Sequence, residues 1–198
     1  NISNNNLTGV IGLTIGNQGS SFPVDLSTTT ISGNNLVNLI GEVAIFSQCN
    51  IVNNIVTTAI NIVGTTSSWT NIITNFNNVS SGITYNAGAN RMTGMIFNGN
   101  KTINSLTLSA TSASTSNFVV NGNTIGSSFN CLGLTNASVC VIADNFCSNT
   151  LSTPINLSDS TITGNICGTG TLDFGTSLIN SNVSDNIVLA NFAQMPTT

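Results

Sequence analysis

The stretch VNGNTI, residues 120–125, decides how this chain folds. An apolar residue, a variable residue, Gly and Asn follow one another, and a second apolar residue closes the motif. The same order recurs as ISNNNL at 2–7, ISGNNL at 31–36, IVNNIV at 51–56, FNNV at 76–79, FNGNKTI at 97–103, IADNF at 142–146, ITGNI at 162–166 and VSDNI at 183–187. The asparagines that align are Asn5, Asn34, Asn54, Asn78, Asn100, Asn123, Asn145, Asn165 and Asn186. After a first gap of 29 residues the spacing holds between 20 and 24. A period of that length marks stacked repeats, each one supersecondary unit.

Alternate apolar residues on each side of the Asn read as short strands with one face buried. Gly, Asn or Asp before the Asn marks a sharp bend, because these residues enter the left-handed region most readily. If each repeat is one coil, equivalent residues lie about 4.8 Å apart along the axis. The Asn side chains then form an amide ladder that satisfies polar groups inside the bend. The expected fold is all-β: a right-handed, single-stranded parallel β-helix of about nine coils, roughly 40 Å long. It is expected to take in residues 1–198 as one domain. No 3.6-residue apolar stripe supports a helical reading. The stretches at 17–30, 64–71, 84–94 and 109–117 read as loops or outward bulges.

Composition agrees with a solenoid. Only 4% of the 198 residues are charged, against roughly 25% in ordinary soluble domains, while 40% are hydrophobic. Apolar runs are short, so no segment reaches the ~18 residues needed to span a membrane. With two cations, Arg91 and Lys101, the chain has no basic patch for nucleic acid. It contains no His and no CxxC pair, which excludes the common zinc patterns, and no cofactor is expected.

The repeats resemble the parallel β-helix repeats of the pectin-lyase-like superfamily, in which an Asn ladder lines the tight turn between two sheets. The resemblance covers nearly the whole chain and is nearest in character to viral fibres and tailspikes. It implies the fold but not one activity, since that superfamily includes polysaccharide lyases, hydrolases, spikes and adhesins. Its enzymes need converging carboxylates, or an acid cluster with a basic residue. Here Asp144 and Asp185 stand before ladder asparagines as turn residues, Asp159 and Asp173 fall at unequal offsets, and Asp25 and Glu42 are isolated. The chain therefore reads as a non-enzyme.

Trp69 and Tyr85, the only Trp and Tyr, fall in loop-like stretches and are candidates for stacking on a sugar ring. Cys147 and Cys167 each follow a ladder Asn by two residues, which makes them neighbours on adjacent coils. Either a disulfide or a reduced stack fits that placement. Asn136 and Asn156 are the better-placed of seven glycosylation sequons, because Asn78 and Asn100 should face inward.

The sequence opens at Asn1 without a basic leader or initiator Met, and so reads as a mature or excised segment. Only LANFAQMPTT follows the last motif, enough for a light cap at best, so end-to-end stacking or trimerisation is expected. The expected function is a structural rod on a virion or extracellular surface, with attachment as its task and a cell-surface glycan as a candidate partner. A secreted adhesin or filament subunit of a cell is the alternative, and a polysaccharide-active enzyme a weaker one.

Overall fold

The computed structural model describes residues 1–7, 12–15, 24–64 and 68–189, and every element among them is a β-strand. All the strand pairs are parallel, and each strand pairs with its counterpart one coil away. The chain is a parallel β-solenoid.

One coil shows the plan. Ile73–Asn75 forms the first side, and Phe76 and Asn77 turn the corner into Asn78–Val79, the second side. Ile83–Asn86 is the third side and Met92–Thr93 the fourth, with Gly94 turning the chain into the next coil. The second sides form a sheet of nine two-residue strands in strict chain order. The other three sides join into one 20-stranded sheet, because Leu39–Ser47, Leu106–Asn121 and Phe129–Ala143 run unbroken round corners. Nine coils contribute to the ladder, and the seven between Thr30 and Ile179 have strands on all four sides among the described residues. The first coil falls partly outside the described residues, and the ninth is described on two sides.

Two corners of each coil use positive φ wherever they are described, and they explain the sequence motif. At the first, the residue before each ladder Asn has φ between 52° and 65°: Asn4, Gly33, Asn53, Phe76, Gly99, Gly122, Asp144, Gly164 and Asp185. At the second, Thr28, Gln48, Asn71, Gly94, Asn117, Val139, Asp159 and Asn180 have φ between 48° and 66°. Gly, Asn and Asp dominate both rows because the left-handed region disfavours a Cβ and short polar side chains tolerate it.

Each corner turns the following side chain inward. After the first corner this is the ladder Asn; after the second it is Cys49, Ile72, Met95, Phe118, Cys140 or Ser160, all buried. Stacked rows of Leu, Ile, Val and Phe fill the rest of the interior. Of the expected loops, 109–117 is instead part of the strand Leu106–Asn121. Within it Thr115 is buried, Ser116 half-buried and Asn117 exposed. The stretch 84–94 holds parts of two strands, and 64–71 includes Trp69–Thr70. Residues 65–67, 17–23 and the light cap expected beyond Leu189 lie outside the described residues.

Candidate interaction surface

The ladder runs through Asn5, Asn34, Asn54, Asn77, Asn100, Asn123, Asn145, Asn165 and Asn186. Each Nδ2 donates to the next Oδ1 at 2.8–3.0 Å. The same Oδ1 accepts the backbone N–H of the previous rung at 2.9–3.1 Å. The second Nδ2 hydrogen satisfies a carbonyl of the first-side strand one coil back, as in Asn100 to Thr74 O at 2.6 Å. The seven interior rungs are buried, and they spend their full polar capacity inside the bend. The ladder is therefore structure, not a binding site.

Asn78 is not a rung. It lies on the outward face of its strand and is exposed, while Asn77 is buried. The motif FNNV offers two asparagines, and the preference for Asn before the rung favours Asn78. Two signals in the sequence point the other way: spacings of 23 residues to Asn54 and Asn100, and Val79 two residues on, where Leu36 and Val56 follow their rungs. Phe76 thus takes the left-handed corner position, with its side chain 59% exposed. The Asn78 sequon faces solvent, and that of Asn100 is buried.

Trp69 and Tyr85 are both 0% exposed, which rules out sugar stacking on either. They belong to an internal aromatic run from Phe46 through Trp69, Tyr85 and Phe97 to Phe118, with successive centroids 5.0–6.4 Å apart and mostly edge-to-face. Tyr85 Oη and Thr74 Oγ1 are hydrogen-bonded at 2.7 Å, and burial raises the phenol pKa. Both residues lie at inward positions of short strands, which a loop reading concealed.

All five cysteines are buried free thiols. Cys147 and Cys167 are in-register partners on adjacent coils, and they form a reduced stack rather than a disulfide. Burial pushes Cys140 up to about 11 and Cys147 up to about 12, and raises Cys49, Cys131 and Cys167 as well. These are inert core thiols. The acids serve turns: Asp25 accepts the Ser27 N–H at 2.8 Å, and Asp173 the Gly175 N–H at 3.0 Å. The described residues hold no group of three or more His, Cys, Asp or Glu placed to share a metal ion.

The outer surface is organised in columns, one residue per coil. On the first side Ile73, Ile96, Val119 and Val141 stand in register, with Asn50 before them and Thr161 after. With the corner residues Asn71, Gly94, Asn117 and Val139 they line a shallow groove along the axis that contains no ionisable group. One flank is a column of hydroxyls, Thr70, Thr93, Ser116 and Ser138; the other is Asn75, Asn98 and Asn121. An apolar stripe with a polar rim is the pattern of a contact surface. The spacing of the Asn motif gives no hint of it, since the stripe depends on which strand residues point outward. Comparison with family models, curated proteins and solved structures gives no match.

Proposed function

We propose that this chain is a rigid structural rod of a virion or extracellular surface, with attachment as its task. The observation that carries this reading is the unbroken ladder from Asn5 to Asn186. It ties each coil to the next through neutral amides, and so its stiffness does not depend on ion pairs that salt or acid would weaken. The repeat and its ladder also support kinship with the pectin-lyase-like superfamily, with right-handed coiling and a non-enzymatic role near that of fibres and spikes. A cell-surface glycan is the proposed partner in attachment, and self-association the proposed mode of assembly.

The test is to raise an antibody against the purified chain and to image virions, cell surfaces and secreted fractions of the source by immuno-electron microscopy. Label concentrated on particle or cell surfaces is the expected result. Label confined to the cell interior overturns it. Release of reducing or unsaturated sugars from polysaccharides by the purified chain would instead favour an enzyme.

The apolar column Ile73–Ile96–Val119–Val141 favours one second reading, a secreted filament subunit or adhesin of a cell. It predicts label on filaments that persist in uninfected cultures.

A further inference from the structure

Two apolar columns lie on different sides of the rod. One is the groove floor Ile73–Ile96–Val119–Val141. The other is on the second side, where Phe146, Ile166 and Ile187 are in-register outward residues of successive coils, following the polar Thr124. Phe146 is 41% exposed and Ile187 50%. With only two residues between bends, the second side is narrow, and this column stands as a ridge.

We infer that the ridge Phe146–Ile166–Ile187 of one molecule docks into the groove Ile73–Ile96–Val119–Val141 of a second copy of this chain. The inference rests on the reading of the chain as an assembly component and names the surfaces it uses. Three observations carry it. The first is commensurability: groove and ridge both repeat once per coil, so another solenoid of the same rise matches the groove at every step. The second is strain. Val139 borders the groove at φ 54° with a β-branched side chain 54% exposed, in a row where Asn, Gly and Asp are the easy choices. Such a residue is an outlier, and this one gains no interior packing in return. The third is charge: exposed Asp144 and Asp185 flank the ridge, while Arg91, one of two cations, is exposed on the coil that begins the groove.

A ridge of three steps on a groove of four offsets parallel copies by two or three coils, about 10 to 15 Å. The contact is heterologous, so each copy keeps a free groove or ridge, and the association continues into chains or a ring. The surfaces are small beside the ~800 Å² per partner of a standard interface, so the association is weak and concentration-dependent.

The experiment is light scattering across a concentration series on the wild-type chain, Ile96→Lys and Ile166→Lys, with Trp69 emission as the check on folding. Ile96→Thr and Ile166→Thr serve as milder versions, since Thr161 and Thr124 already occupy those columns. Wild type is expected to gain mass with concentration, and each variant alone to stay a monomer. An equimolar mixture of the two is expected to give a complex of two chains and no larger, because only one intact groove and one intact ridge remain. A wild type monomeric throughout overturns the inference, as does a mixture without the complex, or association by Ile166→Lys alone. A monomer that still labels surfaces in the imaging experiment would sink this inference and leave the rod reading standing.

Discussion

The ring of Phe76 occupies the space that a side chain at Gly99, one coil on, would need: Cε1 lies 2.5 Å from the position of a Cβ there. Both residues hold left-handed φ, 54° and 62°, at the same corner of adjacent coils. The phenyl ring lies along the outer surface instead of entering the core.

Gly99→Ala should therefore destabilise for two reasons, an unfavourable φ and a steric clash, together about 2 to 3 kcal/mol. Phe76→Asn should be neutral or stabilising by up to about 1 kcal/mol, since Asn tolerates the conformation. The double variant should lose less than Gly99→Ala alone. Denaturant unfolding of the four proteins measures this coupling, and strict additivity would show that the ring does not press on Gly99.

Asn100→Ala should cost roughly 3 to 5 kcal/mol, because the buried Asn77 N–H loses its acceptor while Asn123 Oδ1 and Thr74 O each lose an amide donor. Asn78→Ala should change stability by less than about 0.5 kcal/mol, as befits an exposed position. Thermal unfolding of the pair decides which asparagine is the rung. Equal losses would refute the assignment.

Tyr85→Phe should cost about 1 to 2 kcal/mol by stranding the buried Thr74 hydroxyl, and Thr74→Val should restore part of that loss in the double variant. Trp69 fluorescence should be blue-shifted and resist iodide quenching. Ready quenching in the folded chain would contradict the burial of Trp69.

The raised thiol pKa values make stability fall at alkaline pH. A thiol whose folded pKa lies above its unfolded value of 9.0 stabilises the fold fully below pH 9, and that contribution is lost as pH rises towards the folded value, about 12 for Cys147. Within that window the loss is about 1.4 kcal/mol per pH unit for each such thiol. Cys147→Val, which restores the residue at Val56, Val79 and Val188 in the same row, should flatten the decline. A wild-type stability unchanged between pH 9 and pH 11 would exclude the effect.

Much of this fold was legible because a coil repeats a local demand. A left-handed corner wants Gly, Asn or Asp, the buried position after it wants an amide, and the next inward position wants an aliphatic residue. Any chain that meets those demands every 20 to 24 residues stacks into a solenoid. Local preference and register disagree at Phe76–Asn77–Asn78, and strands polar enough to resemble loops in sequence occur at 109–117 and around Trp69 and Tyr85.

The sequence by itself determined the parallel solenoid, the ladder and the scarcity of charge, since each depends on residues close together in one repeat. Tertiary structure decided which residue of each strand faces outward and which outward residues become neighbours. It buried Trp69 and Tyr85, kept Cys147 beside Cys167 as a thiol pair, and lined up Ile73, Ile96, Val119 and Val141. The reason is geometric: residues 22 or 23 apart come together only when the length of every intervening coil, with its corners, sets the register.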